Sequence, residues 1–136
     1  VKLFLDTNIL VYLALGSVDP SYETSIDEFY RDLMKGHELY TDVLVLDEFI
    51  YILKRKYGVP YEKAITFIEE TVIPVVKILP ITFLDYLTAK DVMLKYKLKP
   101  SDAFHVAVIQ NNGLQAIVSE DEDFDRLPLK RLWLRD

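Results

Sequence analysis

The sequence predicts an α/β fold, a mostly parallel sheet covered by helices on both faces. Short apolar runs alternate along the chain with segments whose apolar residues recur at helical spacing, and Pro, Gly and small polar residues stand at the junctions. Residues 2–5, KLFL, form the first strand. They meet Asp6, Thr7 and Asn8, which cap the helix ILVYLAL and leave Asp6 at a strand's carboxyl end. Pro20 sets the entrance to a second helix, from Ser21 to about Lys35, through Ile26, Phe29, Tyr30, Leu33 and Met34, with Gly36 as its stop.

HELYT is a brief second strand. The run VLVLDEFIYILKRKYG, which follows from Asp42, is too long for one strand and ends in a basic turn and Gly58; its second part is expected to be helical. Another amphipathic helix runs from Pro60 to about Val72 through Ala64, Ile65, Phe67 and Ile68, and the β-branched VVKI between Pro74 and Pro80 is the third strand. Leu84, Leu87, Ala89, Val92, Met93 and Tyr96 make 82–97 a helix. Pro100 then opens SDAFHVAVIQNNG, with Ser101 as the expected cap and Asp102 in the first turn. QAIVS is the fourth strand and RLWL the fifth, separated by the acidic stretch EDEDFDRLP. No internal repeat or linker is visible, and 136 residues suit one compact domain spanning 1–136.

Composition excludes several function classes. A hydrophobic content of 51% with 28% charged residues argues against disorder. The net charge of −6 gives no global attraction to a phosphate backbone, although metal ions held by acids invert the local potential. With no Cys and two isolated His, thiolate zinc sites and multi-histidine sites are ruled out within one chain, so a protein-bound metal must be held by oxygen. No segment approaches the roughly 18 consecutive apolar residues of a membrane span, and VKLFLDTN is too short and too soon acidic for a signal peptide, which makes the cytoplasm the default.

Four acids, Asp6, Glu48, Asp102 and Asp121, sit at the ends of apolar runs or inside them, where a carboxylate loses hydration at a cost. In open parallel sheets, sites form outside the carboxyl ends of strands where strand order reverses. Asp6 follows the first strand, Asp121 the fourth, and Asp102 begins the helix leading into the fourth. Glu48 has Leu44 and Ile52 one turn away on either side, at the margin of an apolar face. Convergent carboxylates without His or Cys describe an oxygen-ligand site for Mg²⁺ or Mn²⁺, able to hydrolyse phosphoesters. No G-x-S-x-G elbow or phosphate-binding glycine loop offers another chemistry.

Each residue also has a plain structural role open to it. Asp6 can be only a helix cap, Asp102 can complement a helix dipole, Glu48 can extend to solvent, and EDEDFD can be a solvated turn. His105 reads as a helix side chain with an ordinary hydrogen bond, and Lys54, Arg55 and Lys56 as a solvated helix end. Arg126, Lys130 and Arg131 could meet a phosphate chain leaving the site. An acidic pocket that receives a partner's basic side chain, and a phosphohydrolase of small esters, stand as alternatives to a nuclease.

Four segments in order, FLDTNILVY, VLDEFIYIL, LKPSDAFHVAVI and IVSEDEDF, resemble the PIN domain nucleases, especially the small VapC-type toxins of prokaryotic toxin–antitoxin pairs. The resemblance implies a three-layer α/β/α sandwich with a five-stranded parallel sheet in the order 3-2-1-4-5. It implies Asp6, Glu48, Asp102 and Asp121 as catalytic metal ligands for Mg²⁺ or Mn²⁺, Asp123 as a more variable one, and Thr7, Asn8 and Ser119 as supporting polar residues. Ser119 stands where threonine is commoner, and Glu120, Glu122 and Asp125 are additional acids. RNA as substrate, a homodimer and a small antitoxin partner are implied as well.

Overall fold

The computed structural model describes residues 1–16 and 25–134, so the expected helix entrance at Pro20 and Ser21 lies outside the described residues. Five parallel strands form one sheet in the order β3-β2-β1-β4-β5: β1 (Lys2–Leu5), β2 (Glu38–Asp42), β3 (Val76–Leu79), β4 (Ala116–Val118) and β5 (Lys130–Leu132). This is the order that the resemblance implied. β1 is central, with Leu3 opposite Leu39 on one side and Ala116 on the other. Its residues Leu3, Phe4 and Leu5 are wholly buried, as a strand covered on both faces requires.

The helices are α1 (Thr7–Leu15), α2 (Ile26–Gly36), α3 (Val43–Tyr57), α4 (Tyr61–Phe67), α5 (Phe83–Tyr96) and α6 (Pro100–Asn111). α1 packs on α3 and α3 on α4, while α5 pairs with α6. With right-handed crossovers, the helices between β1, β2 and β3 cover one face and those between β3 and β4 cover the other.

Four local expectations need correction. The whole of 43–57 is helical, including VLVL, because the Asp42 carboxylate accepts from Val45 N at 2.9 Å and starts the helix there. α6 begins one residue before Ser101: Lys99 is the cap position and Pro100 fills the first turn, where its missing N–H costs nothing. The segment expected as one helix to Val72 widens after Phe67 into a π-type turn at Ile68–Val72. The fifth strand stops at Leu132, leaving Trp133 and Leu134 beyond it.

The remaining boundaries follow their signals. Thr82 and Asp85 form a reciprocal capping box at the start of α5. Gly58 ends α3 at φ 67°, a left-handed conformation that glycine adopts without a side-chain penalty. Among the described residues no helix is long and apolar enough to cross a membrane.

Candidate active site

At the carboxyl ends of β1 and β4, where the strand order reverses, one hydroxyl joins two chain segments. Asp6 N donates to Val118 O at 3.0 Å, which draws Asp6 towards the end of β4. Its Oδ1 accepts from Thr7 N at 2.8 Å, so it does cap α1, while its Oδ2 accepts from Ser119 Oγ at 2.6 Å. Ser119 is fully buried, and the same Oγ accepts from Asp121 N at 3.0 Å. Asp121 in turn caps a short 3-10 turn at Glu122–Arg126 through Asp123 N, at 2.9 Å. The plain role as a cap and the placement at the sheet's switch point therefore coexist in Asp6.

Glu48 reaches this region from α3. Its Oε1 accepts from Thr7 Oγ1 at 3.0 Å and from His105 Nε2 at 2.8 Å. The other ring nitrogen of His105, Nδ1, lies 2.8 Å from Asp42 Oδ2, and both His105 and Asp42 are wholly buried. A neutral imidazole has one N–H, so a ring placed between two carboxylates donates to both only as the imidazolium. Burial opposes that charge, but hydrogen bonds to Asp42 and Glu48, with their charges and that of Asp6, raise the His105 pKa to about 10. Phe4 packs beside the ring at 5.3 Å between centroids.

His105 was expected to make an ordinary helix hydrogen bond; instead it bridges two acids, and its partner Asp42 was passed over. The signal was available, since Asp42 ends an apolar strand immediately before a helix, just as Asp6 does. What the sequence could not supply was the pairing of residues 63 positions apart.

The acids influence one another. Burial raises the pKa of Asp6, against the lowering effects of His105, Ser119 and Thr7, and Glu48 adds repulsion. For Glu48 burial also pushes upward, but the His105 hydrogen bond and charge, followed by the Thr7 and Ser101 hydroxyls, pull it below its ordinary value. Asp102 is pushed up to about 6 by burial and by the charges of Asp6 and Asp121, with His105 and Lys99 opposing. Asp102 thus lies in the field of both Asp6 and Asp121, and its Oδ2 is buried without a hydrogen-bond partner.

Among the described residues no three His, Asp or Glu side chains form a ready ligand shell. The fit to a hard divalent cation rests on the donor chemistry, all oxygen, and on that orphaned carboxylate oxygen. A raised carboxylate pKa stabilises the fold at pH below the unfolded value, near 4, and that contribution is lost as pH rises through about 6. Urea unfolding in EDTA from pH 4 to 7 should therefore show wild-type stability falling relative to Asp102→Asn by about 1 kcal/mol, after allowance for solvent screening. Parallel profiles for the two proteins would contradict this.

The other expected residues fall at different distances from this centre. Thr7 supports Glu48, as noted. Asn8 instead donates to Glu120 Oε1 at 3.2 Å, where Tyr12 OH also donates at 2.5 Å, so it meets an additional acid of the loop. Asp123 Oδ1 is paired with Arg126 at 3.2 Å, and Arg126 also donates to Lys97 O. Arg131 grips both oxygens of Asp125 at 3.1 Å and donates to Ser119 O at 3.1 Å. Two of the three cations expected to follow a phosphate chain are therefore engaged by the acidic loop itself, which answers how that loop tolerates its charge. The loop is not simply a solvated turn, because Phe124 at its middle is wholly buried.

The PIN domain family model matches residues 3–130. Ribonuclease VapC13 of Mycobacterium tuberculosis is 33% identical over 133 residues, covering 96% of this chain and 98% of that protein. The VapC ribonuclease Mb1869c of Mycobacterium bovis matches to the same extent. Among solved structures, VapBC2 from Rickettsia felis bound to a DNA fragment from its promoter superposes with a TM-score of 0.76 at 17% identity, over 98% of this chain and 99% of that one.

Proposed function

The chain belongs to the PIN domain family, and from that premise we propose that it is a divalent-metal-dependent endoribonuclease, the toxin of a VapBC-type toxin–antitoxin pair, working through Asp6, Glu48, Asp102 and Asp121. The observation that carries the reading is Asp102. Its pKa is raised by burial and by Asp6 and Asp121, and its Oδ2 is buried without a hydrogen-bond partner, so a cation bound there would relieve both penalties. The extensive similarity to VapC ribonucleases supports RNA as the substrate. The structural likeness to VapBC2 supports a small antitoxin as partner; a homodimer in the cytoplasm is part of the same proposal and rests on the family resemblance alone.

Asp6, Asp102 and Asp121 would hold Mg²⁺ or Mn²⁺, with Glu48 completing the set and Asp123 at its edge. A divalent ion held there would supply positive charge for the phosphoryl oxygens and lower the pKa of an attacking water. The chain's own residues fix the geometry. Ser119 Oγ orients Asp6 Oδ2 and holds the Asp121 backbone, and Thr7 Oγ1 fixes Glu48 Oε1. His105 is committed to two carboxylates and is not free to act as a general base. No Cys is available for covalent attack, so water is the nucleophile that the residues support.

RNA cleavage should require Mg²⁺ or Mn²⁺ and stop in excess EDTA; equal rates with and without EDTA would refute the proposal. Titration calorimetry that detects no divalent-ion binding at millimolar concentration would instead favour a protein-binding module. Ser119→Ala should reduce cleavage by about 10–100-fold, the usual cost of losing a hydrogen bond that orients a metal ligand. Full activity in that variant would remove Ser119 from the supporting set.

A further inference from the structure

The position of Glu48 is governed by a buried chain of three side chains. Asp42 ends β2 and splits its carboxylate, Oδ1 accepting from Val45 N at 2.9 Å to cap α3 and Oδ2 meeting His105 Nδ1 at 2.8 Å. α3 carries Glu48, one and a half turns further on. His105 belongs to α6 and lies three residues after Asp102, so the two side chains share a helix face. The bridge therefore ties the start of α3 to the middle of α6, the two helices that carry Glu48 and Asp102. Glu48 Oε1 accepts from Thr7 and His105, and the Ser101 hydroxyl also bonds the carboxylate, so Oε2 is the oxygen not engaged by Thr7 and His105.

We propose that His105 is a positioning residue of the acidic site: held by Asp42, it locks Oε1 of Glu48 and so turns Oε2 towards a bound divalent ion. A buried, doubly bonded ring explains why a glutamate in the middle of a helix can be held at fixed orientation without a covalent or metal constraint. The proposal rests on the metal-dependent reading of the site given above.

The test is a double-mutant cycle on Mn²⁺ affinity, measured by calorimetry with the full chain. His105→Gln and Glu48→Gln should each weaken Mn²⁺ binding by about 10–100-fold. If His105 acts through Glu48, the double variant should bind no more weakly than Glu48→Gln alone, within about twofold. Losses that multiply, or wild-type affinity in folded His105→Gln, overturn the proposal. If His105→Gln does not fold, proton NMR of the ¹⁵N-histidine-labelled wild type decides. A downfield His105 ring N–H signal protected from solvent exchange is expected, and a ring whose N–H exchanges freely with solvent overturns the bridge. A wild-type protein that binds no Mn²⁺ refutes the metal-dependent reading itself, while the NMR result continues to judge the Asp42–His105–Glu48 bridge.

Discussion

Asp6→Asn should abolish divalent-dependent RNA cleavage, by about three orders of magnitude or more, while the chain remains folded. Asn has the same shape and keeps an oxygen for Thr7 N, so the α1 cap survives. What disappears is a buried charge facing Asp102, and with it a ligand in the proposed metal set. A thousandfold loss corresponds to about 4 kcal/mol of transition-state stabilisation, within the range expected when an electrostatic contact to a developing charge is removed. Because burial already raises the Asp6 pKa, replacing the carboxylate should not weaken the metal-free fold. Initial cleavage rates in Mg²⁺ and urea unfolding in EDTA check both halves. Full activity in the variant would refute the assignment, and unfolding would show that Asp6 is needed for structure first.

His105→Leu should destabilise the protein by about 3–5 kcal/mol, since it leaves Asp42 wholly buried without its cationic partner. Val45 N still donates to Asp42, but one backbone hydrogen bond does not replace a charge-assisted pair. The same ring predicts a pH signature. A histidine pKa raised in the fold contributes stability that is complete below the unfolded value, near 6.5, and is lost as pH rises through about 10. Wild-type stability measured by urea unfolding should therefore decline between pH 7 and pH 10 more steeply than that of His105→Leu. Equal slopes would show that the ring carries no charge in the fold.

Much of the fold was legible because local signals agreed with the final arrangement. KLFL, VVKI and QAIVS are β-branched or apolar runs bounded by turn residues, and each lies on or within one residue of an observed strand. VLVL was harder: four apolar residues of mixed strand and helix preference are settled by a hydrogen bond from Val45 to Asp42, which apolar periodicity does not encode. The same holds at Pro100, where ring geometry rather than the Ser101 hydroxyl starts the helix.

For the site, Glu48 stood out because a carboxylate on the margin of an apolar face needs a partner, and the structure supplies Thr7 and His105. The identity of that partner was illegible, because His105 gains its charge from two acids on other elements. The local pairing of Arg126 and Arg131 is illegible for a related reason. Their positive charge is visible in sequence, but its local use by Asp123 and Asp125 depends on how the turn around Phe124 folds back on β5.

The Ser119–Asp6 hydrogen bond spans 113 residues of sequence and sits where the central strand meets β4. During synthesis, β1 with Asp6 and α3 with Glu48 emerge early, yet β1 lacks its second neighbour until Ala116–Val118 arrive. Such non-local pairing closes late and slowly compared with helix formation. A chain that stops short of β4 holds Asp6, Glu48 and Asp102 but neither Asp121 nor the Ser119 hydroxyl that orients Asp6, so the acids are synthesised before the arrangement that sets them together.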